Sequence, residues 1–146
     1  MGENVMVRFK NSGLAPLLLL GLVAGLTPAW AADYPTDMIK KYPKSLHAFQ
    51  KLIPKRWVKV DWIYQLNGTA IPVQELSLDG KKCFLGRVCR PHFCGGNDVT
   101  FLLSADGTTA FARVNSETLT NSKDVLLGQP PRDVLKLLVA GPNPNL

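Results

Sequence analysis

Most of the chemistry open to this chain lies in six consecutive residues, Cys89-Arg90-Pro91-His92-Phe93-Cys94. Three uses of them compete. A thiol close to an imidazole can act as a nucleophile with its base. Cys83, Cys89, His92 and Cys94 together offer the S and N donors that zinc accepts. Alternatively, Cys89 and Cys94 bond to each other, and the four residues between them become a stiff loop that presents the His92 side chain. Pro91 would stiffen it further, because its ring fixes φ and pushes Arg90 toward extended backbone.

The start of the chain bears on this choice. Arg8 and Lys10 precede an apolar run from Leu14 to Leu26, and Ala29-Trp30-Ala31 follows. A cationic start, a short apolar core and an A-x-A site read as a secretory signal peptide over 1–31, cleaved after Ala31. The run is too short to span a bilayer as a helix, which needs roughly 20 residues, so no membrane anchor is expected once it is removed. Export leads to an oxidising compartment, where paired cysteines form disulfides. An oxidised Cys89 cannot attack a substrate. Zinc is also poorly served, because ligands at 89, 92 and 94 would have to converge across Pro91. Three cysteines then give one pair and a leftover, Cys83, read as a buried thiol or a link between subunits. Closing so short a ring restrains the unfolded chain by only about 2 kcal/mol. Its better use is to hold His92 outward so that little ordering cost remains on binding.

Other classes are weakly supported. The formal net charge is +6, or +5 once Glu3, Arg8 and Lys10 leave with the signal. The cations are scattered from Lys40 to Lys136 rather than gathered in a stripe, which argues against nucleic acid. No Gly-rich phosphate loop is present, and the acids lie singly in turns or helix starts, so neither an enzyme nor a cofactor is expected.

The elements that must position the loop follow from periodicity. Residues 32–146 are enough for one domain. Thr36 to Tyr42 reads as a helix. A second runs from Lys44 to Ile53, with Pro43 in its first turn and Leu46, Phe49, Leu52 and Ile53 on one face. Residues 55–70 give no clear period, and Trp57 and Trp62 are expected to anchor packing. Asn67-Gly68-Thr69 is formally a glycosylation sequon, which in a bacterial periplasm means only a turn. From Ile71 the period is two. Val73–Leu78 and Lys81–Val88 flank Asp79-Gly80, a hairpin signal because both residues tolerate φ > 0. Asn97–Ser104, Thr109–Val114 and Lys123–Leu127 supply three more strands, and residues 115–122 read as polar loop. Pro130-Pro131 opens a last helix, Arg132–Ala140, stopped by Gly141-Pro142. The expected class is therefore α+β: an antiparallel sheet of about five strands, flanked by helices at both ends of the chain, with the loop protruding between two strands.

These residues resemble a known family, the inhibitors of vertebrate lysozyme (Ivy). The resemblance is carried by Pro72-Val73, Asp79-Gly80, Leu85-Gly86, the bracketed loop 89–94, Phe101-Leu102-Leu103-Ser104-Ala105-Asp106-Gly107 and Leu127-Gly128-Gln129-Pro130. It covers about half of residues 32–146. The family's loop usually reads Cys-Lys-Pro-His-Asp-Cys. Cys89, Pro91, His92 and Cys94 match it, Arg90 keeps the cation, and Phe93 departs from it. The resemblance implies a non-enzymatic, exported, periplasmic inhibitor, often a homodimer. Its partner would be lysozyme, most readily the c-type enzyme. The disulfide-pinned loop, with Arg90, Pro91, His92 and Phe93, would enter the enzyme's cleft, and His92 would hydrogen-bond the catalytic carboxylates. The alternative from the same scaffold is an exported binding module acting on another envelope protein, such as an endogenous lytic transglycosylase.

Overall fold

A computed structural model describes residues 33–143. The expected signal peptide and the end of the tail lie outside the described residues. Four helices, a 3₁₀ turn and six strands follow in the order α1 (Pro35–Lys41), α2 (Pro43–Leu52), the turn Lys55–Trp57, α3 (Asp61–Tyr64), β1 (Thr69–Ala70), β2 (Gln74–Leu78), β3 (Lys81–Cys89), β4 (Asn97–Ser104), β5 (Ala110–Ser116), β6 (Val125–Leu127) and α4 (Arg132–Ala140). The class is α+β, as expected. The sheet gains a sixth strand from the segment that periodicity left unread.

Local chemistry explains most boundaries. Pro35 and Pro43 occupy first turns, where the missing N–H costs nothing. Asp37 sits in the first turn of α1 and Lys40 and Lys41 in its last, each favourable to the helix dipole. Asp79 and Gly80 take φ of 50° and 75°, the mirror-image turn that suits the twist of a hairpin. Gly141, at φ 74°, ends α4.

The sheet is antiparallel in the order β1-β3-β4-β5-β6, and β2 lies beside β1 on the same edge of β3. Its two faces are covered differently. On one, α1 to α3 and the 3₁₀ turn bury Met38, Phe49, Trp57, Trp62, Ile63 and Leu66 against Phe84, Val88, Val99, Phe101, Leu103 and Val114. On the other, α4 sets Val134 and Leu138 against Cys83, Leu85 and Leu102. Covered on both sides, β4 is buried along its whole length. Each large apolar side chain fully buried there contributes about 1.5–3 kcal/mol. Opposite Phe101 stands Gly86, where a Cβ would overlap the Phe101 ring, so the glycine lets that ring lie across β3. A buried hydrogen bond of 2.6 Å from Ser45 Oγ to the Ser104 carbonyl ties α2 to the end of β4. The result is a rigid central strand pair, β3 and β4, whose connection carries the loop 89–94.

Candidate functional site

Cys89 is the last residue of β3 and pairs with Asp98 of β4. Its sulfur is bonded to that of Cys94, with the Cα atoms 4.9 Å apart, inside the usual disulfide range. The ladder continues one step past the disulfide, because the Arg90 N–H donates to the Asn97 carbonyl at 3.0 Å. Between these anchors the chain reverses. The Phe93 N–H donates to the Arg90 carbonyl at 3.0 Å, which closes a four-residue turn. Pro91 occupies its second position and His92 its third, with φ of 65°. Proline followed by a positive φ is the signature of a type II turn, which normally asks for Gly or Asn at the third position. Histidine tolerates that region better than most side chains but is uncommon there. The imidazole is thereby carried at the apex of the turn, and residues 91–96 are all exposed.

Arg90 and Phe93 are coupled. The guanidinium lies 5.0 Å from the centroid of the Phe93 ring, and Phe93 keeps 61% of its surface exposed. A cation over an aromatic face at that distance is attracted by about 0.5–1 kcal/mol at an exposed site. Phe93 therefore does in this loop what was not foreseen: it holds the neighbouring cation. Among the described residues Arg90 forms no ion pair.

Beneath the loop lies a buried polar cluster that the sequence reading missed, having taken residues 115–122 as plain loop. The Asn97 Oδ1 accepts from Ser116 Oγ at 2.9 Å and from the Glu117 N–H at 3.3 Å. The Asn97 amide donates to the Gly95 carbonyl at 3.3 Å. Thr120 Oγ1 accepts from the Ser116 N–H and donates to its carbonyl, both at 2.9 Å. All three side chains are buried. One asparagine thus joins the loop that carries His92 to the turn after β5. Buried polar groups with every partner present rigidify their surroundings. The only sequence signal was an amide and two hydroxyls within otherwise polar stretches, which has no diagnostic spacing.

Two further features frame the base of the loop. Gly68, just before the short strand β1, packs so closely on the Cys89 carbonyl that a Cβ would overlap it. On the sheet face that carries α4, at the loop end of β3 and β4, Asp98 is buried. Arg87 Nε lies 3.1 Å from its Oδ2 and Arg113 Nη1 3.7 Å, while Arg113 also pairs with Asp124 at 2.8 Å. Arg113 and Asn115 hold the Asp124 carboxyl below the usual carboxylate range. The Asp98 Oδ2 makes no directed hydrogen bond, so the guanidinium groups of Arg87 and Arg113 compensate its charge without aligned donors. On the other side of the loop base opens a cleft of about 650 Å³, lined by Lys59, Val60, Asp61, Trp62, Asn67, Arg90, Pro91, Ser116, Thr118 and Leu119.

The residues picked out by sequence fall as follows. Cys89, Arg90, Pro91, His92, Phe93 and Cys94 are brought together at the rim of the sheet. Cys83 is not with them. It is buried and free, six residues back along β3, about 20 Å away at strand spacing. Burial is the main cause that pushes its thiol up. With two sulfurs bonded and the third remote, the four-ligand zinc arrangement does not form. Among the described residues no group of three metal-binding side chains occurs, and no helix is long and apolar enough to cross a membrane.

No family model matches the chain. It is similar to a curated protein from Pseudomonas aeruginosa named "Inhibitor of vertebrate lysozyme", with 30% identity over 107 residues. The match takes in 68% of this chain and 66% of that protein, so it spans just under two thirds of the relative's length.

Proposed function

Because the chain is related to the family of inhibitors of vertebrate lysozyme, we propose that it is itself an exported inhibitor of lysozyme, acting without catalysis by placing His92 in the enzyme's active-site cleft. The observation that carries this reading is the apical His92, held at positive φ on a disulfide-closed turn at the rim of a rigid sheet. A side chain already fixed in an exposed pose loses little freedom on binding. An imidazolium donates from both nitrogens, and a cleft with two carboxylates favours that form. Arg90 adds a second cation next to it. The loop would fill the space where the saccharide must lie, so inhibition is competitive. Under this proposal residues 1–31 direct export and are removed, residues 32–146 form one inhibitor domain, and the disulfide forms in the periplasm.

The test is hydrolysis of cell walls by chicken-type lysozyme with and without the protein. The wild type should inhibit at micromolar concentration or below. A buried contact to two carboxylates behaves as a hot spot, so His92→Ala should raise the inhibition constant at least about 30-fold. An inactive wild type at micromolar excess would remove that enzyme as the target.

A second reading is favoured by Phe93, whose exposed ring stands where the family's pattern has a carboxylate. In that reading the scaffold serves another envelope enzyme, such as a lytic transglycosylase of the cell itself, and Phe93 would pack on an apolar wall of its cleft. Capture from periplasm on the immobilised protein, with His92→Ala as the control, separates the two.

A further inference from the structure

The loop alone cannot make a stable complex. Residues 90–96 are its exposed part, whereas a standard protein interface engages about 20–30 residues on each side. The surface around the loop base must therefore meet the partner. The cleft of about 650 Å³ is part of that surface, because Arg90 and Pro91 form one of its walls. Two cations line it, Lys59 and Arg90, against a single acid, Asp61. Lys59 is exposed, and among the described residues neither cation lies in an ion pair. Covering them with a partner takes both out of water, which is costly unless an opposite charge arrives with that partner. Among its other lining residues, Asn67 and Thr118 carry neutral side chains that can donate a hydrogen bond to a carboxylate.

We propose that this cleft is a second docking point on the enzyme bound by the His92 loop, and that its occupant is an acidic side chain on the rim of that enzyme's active site, received between Lys59 and Arg90. This rests on the reading of the loop given above. It adds a selection rule: enzymes with an acid at that place on the rim are bound, and those with a neutral or basic residue there are bound weakly whatever their catalytic carboxylates.

The sign of the effect of charge reversal tests it. Inhibition of chicken-type lysozyme and of a lytic transglycosylase is measured over a range of salt with the full disulfide-bonded protein as exported, and with Lys59→Gln and Lys59→Glu. For the enzyme that is inhibited, Lys59→Glu should weaken binding about tenfold or more, Lys59→Gln should weaken it less, and both should flatten the salt dependence. His92→Ala should remain deleterious in each background. An unchanged or tighter Lys59→Glu complex would overturn the docking point and leave the loop mechanism intact. Binding of soluble muropeptides to the protein alone, lost in Lys59→Glu, would mark the cleft as a saccharide site and also overturn it. Inhibition of neither enzyme would overturn the loop reading, and this inference with it.

Discussion

The two ends of β3 carry turns that solve one backbone problem in different ways. At its start, Asp79 and Gly80 adopt φ of 50° and 75°. Both residue types accept that region, so local preference suffices and nothing else is needed. At its end, His92 adopts φ of 65°, where local preference does not favour it. That turn is held instead by a disulfide, a proline, a ladder bond to Asn97 and the buried Asn97–Ser116–Thr120 cluster. Non-glycine residues in sparsely populated regions persist only where their surroundings over-determine them, and such places cluster at functional sites. The contrast says where this protein spends constraint: on the end that presents a side chain, not on the end that merely reverses the chain.

The contrast can be broken most forcefully at the disulfide. The double replacement Cys89→Ser with Cys94→Ser should lower stability to unfolding by only about 2 kcal/mol. Its effect on inhibition should be larger. Freeing the loop returns about 1–2 kcal/mol of ordering cost per residue to the binding step, so a loss of about 100-fold or more is expected from two freed residues. Denaturant unfolding and inhibition assays on the same preparation give both numbers. Equal losses would mean the bond serves the fold and not the presentation of His92. At the opposite end, Gly80→Ala should show the reverse profile. An added Cβ meets nothing within 4 Å there, so the cost is conformational alone, about 1–2 kcal/mol of stability, with the inhibition constant unchanged.

The same contrast explains how much was legible in the sequence. Elements governed by local rules were read closely: Asp79-Gly80 gave the hairpin, Pro43 and Pro54 bounded α2, and the apolar run gave β4 at Asn97–Ser104. The loop was legible as a braced turn because cysteine spacing and proline are themselves local signals. What escaped depends on distant partners. Residues 55–70 fold into a 3₁₀ turn, the four-residue α3 and the two-residue β1. These are too short for a period to show. They hold their shape because Trp57, Trp62, Ile63 and Leu66 are buried under the sheet and Gly68 packs on Cys89. The Asn97 cluster joins residues 19 and 20 positions apart, a pairing no spacing rule anticipates. Lys59 and Arg90 likewise meet only through the fold, at the walls of one cleft.

The smallest expected effect concerns the remaining turn at the hairpin end, between β4 and β5. There Asp106 plays by side-chain bonding the part that the disulfide plays at the far end. Its Oδ1 accepts from Ser104 Oγ at 2.6 Å, from Thr108 Oγ1 at 2.7 Å and from the Thr108 N–H at 3.0 Å. The hydrogen bond from Ser104 is the leading cause that holds this carboxyl well below the usual carboxylate range, with Thr108 next. A carboxylate depressed on folding contributes stability that is complete above its unfolded value of about 3.9 and is lost as pH falls through the folded value. Asp106→Asn should therefore lower Tm at pH 7 by no more than about 3 °C, and the gap to the wild type should close between about pH 4 and lower pH. The disulfide does not titrate, so the loop end should stay closed over the same range. Thermal unfolding of both proteins across that range, with a thiol count to confirm the intact bond, decides the matter. A gap that persists in acid would show that Asp106 acts through its shape and not its charge.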